Sequence, residues 1–260
     1  MAPALHLRGY RLAWIMLPLA STGAFDKALP SIVVSCINKT PVEGGRIVTE
    51  QNYEQMRQAM VASQLRTTAV NDPRVVAAMG KVARERFVPP AQAALAYLDK
   101  SLPIGGGRAI SSPMVVGRLL TEARVKPTDR ALVIGAGSGY SAAVLAELAG
   151  SVVALEEDAT LVGSAILPAN VSRVSGSLAK GWAKAAPYDL ILFDGAIEQI
   201  PPAIIDQLTD GGRLAAPIME DGVSRLSIGR KAGGGFGIIS FADAEAPVLP
   251  GFAIERGFRF

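Results

Sequence analysis

Apolar residues recur at helical spacing in the first regular part of the chain. From Tyr53 to Leu65 they return every three or four positions, which predicts a helix. A second helix is predicted to begin at Asp72-Pro73, because proline suits the first helical turn. Glycines 105–107 predict a flexible loop, and a third helix is predicted over residues 114–123. These elements predict an N-terminal helical cap.

From residue 130 onward, predicted strands and helices alternate. The strands are predicted over residues 130–135, 151–156, 171–175 and 188–194, and the helices over residues 138–149 and near 158–167. Such alternation implies a parallel, doubly wound sheet with right-handed crossovers. Residues 190–193 form a continuous apolar run, as expected of a central strand that is buried on both faces.

The last part of the chain changes pattern. It predicts a helix over residues 204–208, a stop at Gly211-Gly212 and a strand over residues 214–218. Residues 226–229 and 237–241 then predict an antiparallel hairpin across glycines 233–235. The predicted fold class is therefore α/β: a Rossmann-like, doubly wound, mostly parallel sheet with a C-terminal antiparallel hairpin and an N-terminal helical cap.

Length and composition predict one domain with an appendage. The chain has 260 residues, of which 50% are hydrophobic, enough to bury one substantial core. We assign residues 49–260 to this domain, with the cap and a substrate loop in 49–128 and the Rossmann-like core in 129–260. Residues 1–48 are interpreted as a disordered extension or a targeting segment, because the apolar stretch 13–24 resembles a secretory signal and is too short to span a bilayer.

The charge and the rare residues exclude several classes of function. Residues 49–260 hold 21 basic and 21 acidic side chains, and this balance predicts no nucleic-acid partner. No membrane association is predicted. The only histidine is His6 and the only cysteine is Cys36, both outside the predicted domain. Disulfides, thiol nucleophiles, histidine bases and the commoner zinc sites are therefore excluded from it, and no metal is predicted.

A glycine-rich loop at residues 135–139 predicts a cofactor site. Glycines at alternate positions allow a tight turn from strand to helix and let the backbone approach a ligand closely. The dinucleotide fingerprint needs another glycine at position 140, where this chain has Tyr140. The loop therefore favours S-adenosylmethionine over NAD. The predicted cofactor-binding residues of the loop are Gly135, Ala136, Gly137, Ser138 and Gly139.

Glu156 ends the next predicted strand and is a candidate ligand for ribose. It follows Gly139 by 17 positions, close to the spacing of an acid that binds ribose hydroxyls in such strand–helix–strand units. The competing interpretation is an ordinary glycine-rich turn followed by an exposed glutamate.

Several short segments together resemble the protein-L-isoaspartate O-methyltransferases, from about residue 53 to residue 217. The segments are Arg66, Asp72, Phe87-Val-Pro89, Leu102-Pro-Ile-Gly105, Ile110-Ser-Ser-Pro113, Gly135-Ala-Gly-Ser-Gly-Tyr140, Gly181-Trp182, Pro187-Tyr-Asp189, Ile200-Pro-Pro202 and Gly211-Gly-Arg-Leu214. The resemblance implies methylation of the free carboxylate of isoaspartyl residues in damaged proteins, the first step of their repair. It also implies S-adenosylmethionine as cofactor, damaged proteins as partners and a cytoplasmic location, which favours the extension over the signal for residues 1–48. It indicates no oligomeric state.

The resemblance assigns roles to individual residues. Ser111 matches the active-site serine, and Ile110 and Ser112 flank the substrate carboxylate. Glu156 matches the ribose acid. The remaining predicted site residues are Ser177 and Leu178, near the adenosine, and Asp194, near the acceptor. Ser111-Ser112-Pro113 also fits a plain helix start with a serine cap, and both interpretations can hold.

The absence of histidine and cysteine agrees with this chemistry. A carboxylate with a pKa of about 3.9 is ionised at neutral pH and needs no general base. The enzyme has to align that oxygen with the methyl group, which is a matter of proximity and orientation.

Three positions depart from the family pattern. Val133 and Ser177 stand where acids are usual, and Asp194 stands where the family has small or hydroxyl residues. Asp194 would repel an acceptor carboxylate if both were ionised. Two alternatives therefore stay open: a divergent methyltransferase that acts on a small hydroxyl or amine substrate, and a cofactor-binding paralogue without turnover.

Overall fold

A computed structural model of the protein describes residues 37–41, 47–161 and 166–254. The α-helices are α1 (Tyr53–Ala59), α2 (Pro73–Lys81), α3 (Pro113–Ala123), α4 (Tyr140–Ala146) and α5 (Pro202–Ile205). The strands are β1 (Ile37–Pro41), β2 (Ile47–Gln51), β3 (Leu102–Gly105), β4 (Arg108–Ile110), β5 (Arg130–Ile134), β6 (Ser151–Glu156), β7 (Val171–Ser175), β8 (Tyr188–Phe193), β9 (Leu208–Glu220), β10 (Val223–Ala232) and β11 (Gly235–Asp243).

A seven-stranded sheet organises the core, in the order β11-β10-β9-β8-β5-β6-β7. The strands from β7 to β9 are parallel, and β10 and β11 are antiparallel. Ala131 and Val133 enter one apolar cluster, and Leu132 and Ile134 enter another, because successive side chains of a strand point to opposite faces. This confirms the predicted α/β fold class.

The order in which strands are added to the sheet reverses at β5, while β5 and β8 themselves run parallel. The chain runs from β5 outward to β6 and β7, and then returns to place β8 on the other side of β5. In open parallel sheets, ligands bind beyond the carboxyl ends of the strands at such a switch point. The segments that follow β5, β6 and β8 therefore define the candidate site.

The cap helices agree with the predicted helical spacing. After α1, residues Met60–Leu65 continue as a π-helix, and Asp72 caps α2 by accepting the Arg74 backbone N–H at 2.9 Å. The prediction of a flexible loop at glycines 105–107 was wrong in part. Strands β3 and β4 pair there as an antiparallel hairpin, so the glycines make its turn.

Several predicted boundaries in the core need correction. The helix predicted over residues 138–149 is shorter, as α4. The helix predicted near 158–167 is a single 3₁₀ turn at Ala159–Leu161, and residues 162–165 lie outside the described residues. The helix predicted over 204–208 is the short α5, because Leu208 already pairs with Tyr188 at the start of β9.

Gly211-Gly212 does not stop an element, as predicted, but lies inside β9. The register with β8 shifts there, since Tyr188 pairs with Leu208 but Leu190 pairs with Arg213. Glycines are common where a strand bulges. The predicted C-terminal hairpin is confirmed as β10 and β11, and β9 with β10 forms a second hairpin that was not predicted.

The boundary predicted between residues 48 and 49 falls in a strand. Residues 37–41 and 47–51 pair antiparallel as β1 and β2, which the sequence analysis did not predict. Residues 1–36 and 42–46 lie outside the described residues, so the extension or targeting segment stays a prediction. No helix among the described residues is long and apolar enough to span a membrane.

Gly117 lies where α3 packs closely against Val70 and against Met79 of α2, and its replacement tests this packing. A Cβ at position 117 would lie 2.8 Å from Val70 Cγ2 and 3.1 Å from Met79 Sδ. Overpacking costs about 1–3 kcal/mol, more than the roughly 0.5–1 kcal/mol that alanine gains over glycine in a helix. Gly117→Ala should therefore lower the free energy of unfolding, as measured with urea. Gly80→Ala in α2 is the matched control, because its Cβ would meet only Val61 Cγ2 at 3.7 Å and should leave stability equal or higher.

Candidate active site

The predicted glycine loop connects β5 to α4 at the carboxyl edge of the sheet. Gly135, Gly137 and Gly139 have φ angles of 78°, 52° and 102°, which L side chains rarely adopt. All five residues of the loop are buried, and the Ser138 hydroxyl has no hydrogen-bond partner. Arg173 Nη2 donates to the Ser138 carbonyl at 2.8 Å. The loop therefore has the predicted shape, with a free polar group inside it.

Glu156 lies directly against this loop. Its Oε2 accepts the Gly137 backbone N–H at 2.7 Å, and its Oε1 accepts the Glu157 backbone N–H at 2.9 Å. The structure thus brings together the loop and the acid that the sequence predicted as one site. It rules out the exposed glutamate of the competing interpretation, since the Glu156 side chain is only 7% exposed.

Arg108 holds the same carboxylate from the other side. Its Nη1 lies 2.9 Å from Glu156 Oε1, and its Nη2 donates to the Gly135 carbonyl at 3.1 Å. Both side chains of this ion pair are 7% exposed. The β3–β4 hairpin therefore places a guanidinium on the glycine loop, where sequence reasoning predicted no protein side chain.

Ser177 and Leu178 follow β7 next to Glu156. The Gly176 backbone N–H donates to the Glu156 carbonyl at 3.2 Å, which fixes this turn beside the acid. Leu178 is fully buried in the apolar cluster, and Ser177 is half-buried. Their role at an adenosine stays a prediction.

The segment from Ile110 to Ser112 joins β4 to α3. Ile110 packs in the apolar core, and Ser112 caps α3 through its Oγ, which accepts the Val115 backbone N–H at 3.4 Å. The helix-start interpretation is therefore confirmed for Ser112. Ser111 differs, because its hydroxyl is buried and has no hydrogen-bond partner. It is free to bind a ligand.

Asp194 follows β8 and is buried beside Ser111. Its backbone N–H donates to the Ile134 carbonyl at 3.0 Å, and its Oδ1 has no hydrogen-bond partner. Burial raises the pKa of Asp194, while the nearby hydroxyls of Ser111 and Ser141 and the positive charge of Arg84 act to lower it. Both hydroxyls lie near the carboxyl group, but Ser111 Oγ, Ser141 Oγ and Asp194 Oδ1 each have no partner at hydrogen-bond geometry.

Arg84 completes this group from the cap. Its side chain is fully buried, with Nε donating to the Ala96 carbonyl at 2.8 Å and Nη2 to the Ser111 carbonyl at 2.7 Å. The guanidinium carbon lies 4.6 Å from the centre of the Tyr140 ring. Its Nη1 and the Tyr140 hydroxyl have no hydrogen-bond partners. Arg84 therefore fixes the backbone of Ser111 and keeps one donor free.

A C-terminal strap, residues 244–254, covers the end of β8. The Ala196 N–H donates to the Pro247 carbonyl at 2.7 Å, and the Leu249 N–H donates to the Ala196 carbonyl at 2.8 Å. Leu249 Cδ2 lies 2.6 Å from the position that a Cβ on Gly135 would take. The strap thus packs Leu249 onto the glycine loop.

Comparison with known proteins identifies the family. The profile of the Protein-L-isoaspartate(D-aspartate) O-methyltransferase family matches residues 54–242. The chain belongs to this family.

Individual relatives carry the same name. A protein-L-isoaspartate O-methyltransferase of Koribacter versatilis is 38% identical over 184 residues, which cover 68% of this chain and 83% of the relative. One from Synechococcus is 44% identical over 174 residues, covering 65% and 71%. A solved Plasmodium falciparum structure given the family name, in complex with S-adenosyl-L-homocysteine, has a TM-score of 0.63 at 21% identity, covering 77% of this chain and 99% of that one.

These matches confirm the predicted family, the methyltransferase class and the predicted cofactor, S-adenosylmethionine. The residues of the candidate site fit S-adenosylmethionine. Three of the five loop residues are glycines without a Cβ, the Glu156 carboxylate can accept hydrogen bonds from ribose hydroxyls, and the Ser138 hydroxyl is a buried polar group without a partner. Arg108, Leu249 and Ile104 pack on the loop, and Ile104 Cδ1 lies 2.8 Å from the position that a Cβ on Gly137 would take.

Sequence reasoning missed three residues that the structure places at the candidate site: Arg84, Arg108 and Leu249. Arg84 lies three positions before the Phe87-Val-Pro89 segment that was recognised as characteristic, and a charged residue so close to it was a usable signal. Arg108 follows the glycines of the hairpin turn, which were interpreted as a loop. Leu249 carries no local signal.

Proposed function

We propose that the protein methylates the free carboxylate of L-isoaspartyl residues in damaged proteins, in the cytoplasm, as a first step of their repair. The observation that carries this proposal is the buried Ser111 hydroxyl without a partner, beside Asp194 at the end of β8. Ser111 is the position that matches the family's active-site serine. The Koribacter and Synechococcus relatives are named for the same activity.

The residues divide into a cofactor group and an acceptor group. S-adenosylmethionine, when bound, supplies a methyl group on a positively charged sulfur. Glu156 and the loop residues Gly135, Ala136, Gly137, Ser138 and Gly139 hold its nucleoside part, with Ser177 and Leu178 beside them. Ser111 donates to the acceptor carboxylate, and Arg84 Nη1 offers a second donor. Ile110 and Ser112 fix the backbone on either side of Ser111.

Such an acceptor carries no proton that the protein would have to remove. An isoaspartyl carboxylate is ionised at neutral pH, with an ordinary pKa of about 3.9. Its oxygen forms a bond to the methyl carbon as the carbon–sulfur bond breaks, which gives a neutral methyl ester and S-adenosylhomocysteine. The protein's contribution is orientation and the exclusion of water.

The decisive test is a methylation assay with labelled S-adenosylmethionine on an isoaspartyl peptide and on its aspartyl twin. We expect label in the isoaspartyl peptide alone. Label in neither peptide, with the cofactor bound, would refute the proposed acceptor.

Ser111→Ala should weaken acceptor binding and leave stability unchanged. The hydroxyl has no partner within the protein, so its removal breaks no internal hydrogen bond. A hydrogen bond to a charged group contributes about 1.5–3 kcal/mol, so KM for the isoaspartyl peptide should rise roughly 10- to 100-fold. Ser172→Ala, at an exposed position on β7, is the control. A variant with wild-type KM would remove Ser111 from the acceptor site.

A small hydroxyl or amine acceptor is the second candidate, because Asp194 places a carboxyl group beside Ser111. In that case an ionised Asp194 would act as general base, and Asp194→Asn would abolish turnover. General-base loss costs about 10²–10⁴-fold in rate. The same change should leave an isoaspartyl activity measurable.

A further inference from the structure

Five buried polar atoms without partners belong to Asp194 and to residues that adjoin it or Arg84. They are Arg84 Nη1, Ser111 Oγ, Tyr140 Oη, Ser141 Oγ and Asp194 Oδ1. Buried polar atoms in folded proteins are nearly always hydrogen-bonded, so such a group indicates a site for a polar ligand. Four of the five atoms can donate a hydrogen bond. Asp194 can do so only when it carries a proton.

The charges in this group are finely balanced. The charged or titratable groups that act on Asp194 are Arg84 from the cap, Arg108 from β4 and Tyr140 from α4. Arg108 is already paired with Glu156. An incoming carboxylate beside an ionised Asp194 would put two negative charges against the Arg84 guanidinium alone, in buried surroundings. Two adjacent buried carboxylates cannot both stay ionised without a large cost.

We propose that Asp194 takes up a proton from solvent when the acceptor carboxylate binds, and donates that proton in a hydrogen bond to one acceptor oxygen while the other oxygen accepts the methyl group. This inference rests on the proposed function. Asp194 is thereby a positioning residue that turns an apparent repulsion into a contact. The proton returns to solvent when the neutral ester leaves.

The environment of Asp194 already favours this step. Burial raises its pKa before any acceptor is present, and a second carboxylate raises the pKa further. Below the pKa of Asp194 in the free site, the group is already protonated, so binding takes up no proton. Between that pKa and the higher pKa of the acceptor-bound site, binding takes up as much as one proton, and affinity falls as pH rises, by at most about tenfold per pH unit.

The test is calorimetric titration of the isoaspartyl peptide into full-length protein saturated with S-adenosylhomocysteine, in two buffers of different ionisation enthalpy, between about pH 6 and pH 9. The dependence of the measured heat on the buffer gives the number of protons taken up. We expect uptake and declining affinity with pH in the wild type. Asp194→Asn, which is always neutral and donates through its amide, should show no uptake, with affinity that does not fall with pH.

Asp194→Thr gives a second neutral donor in case the asparagine variant does not fold, and should also lose the uptake. Glu220→Gln, an exposed carboxylate on β9, is the control and should keep it. Binding and methylation without proton uptake in the wild type, or uptake that survives in both Asp194 variants, would overturn the inference and leave the proposed function standing. A peptide that is neither bound nor methylated would overturn both.

Discussion

Arg108→Gln should destabilise the protein and at the same time strengthen cofactor binding. Breaking a buried ion pair by removing one partner costs about 3–5 kcal/mol, because the other charge stays buried without its partner. Here the remaining charge is the Glu156 carboxylate, in a pair whose two side chains are each 7% exposed. Glu156 would keep its backbone donors and lose the one cation that pairs with it in the described part of the chain.

The expected gain in cofactor affinity also comes from the loss of the Arg108–Glu156 ion pair. In the wild type, Glu156 Oε1 is held by Arg108 at 2.9 Å and Oε2 by the Gly137 N–H at 2.7 Å, so ribose hydroxyls have to compete with Arg108. With glutamine at position 108, that competitor is neutral and weaker. A saving of about 1.4 kcal/mol corresponds to tenfold in affinity, and we expect at least this gain.

Urea unfolding without ligand and calorimetric titration with S-adenosylhomocysteine measure the two effects. Arg225→Gln is the matched control, because Arg225 pairs with Glu220 through side chains that are 43% and 46% exposed. Exposed pairs contribute only about 0–1 kcal/mol, so this variant should change neither quantity by much. Weaker cofactor binding in Arg108→Gln would instead mean that Arg108 holds the cofactor directly.

The parts of the fold that sequence predicted best are those where local pattern and burial agree. Strands β5, β6 and β8 are apolar on both faces, and their predicted bounds hold to within one residue. Gly211 and Gly212 misled the prediction because glycine pairs usually end an element. In β9 they form a bulge, which depends on the register with β8.

The site was predictable as far as it lies at the ends of strands. Glu156 and the glycine loop meet because parallel strands end at the same edge of the sheet, which the order of elements implies. The pairing of Arg108 with Glu156 joins residues 48 positions apart, and no local signal sets it. The closeness of Leu249 to Gly135 likewise depends on the path of the C-terminal strap.

Arg84→Met is expected to cause a loss of stability about as large as Arg108→Gln. The two arginines are both buried, but Arg84 is hydrogen-bonded to two backbone carbonyls, those of Ala96 and Ser111. Methionine is similar in length and removes the charge and all donors. The carbonyls of Ala96 and Ser111 then lose their hydrogen-bond donor, and the Asp194 carboxyl group loses a nearby cation. We expect the free energy of unfolding to fall by about 3–5 kcal/mol.

The position of Ser111 should change together with stability, since Arg84 Nη2 holds the Ser111 carbonyl at 2.7 Å. We therefore expect a raised KM for the isoaspartyl peptide and an unchanged affinity for S-adenosylhomocysteine, because the glycine loop and Glu156 do not contact Arg84 through any hydrogen bond found among the described residues.

Arg84→Lys is the control. Lysine keeps the charge but lacks the planar fork that reaches two carbonyls at once, so it should recover only part of the stability. Urea midpoints at unchanged m measure the first effect, and steady-state kinetics measures the second. If Arg84→Met unfolds within about 1 kcal/mol of the wild type, the buried guanidinium does not stabilise the cap, and its place beside Asp194 needs another explanation.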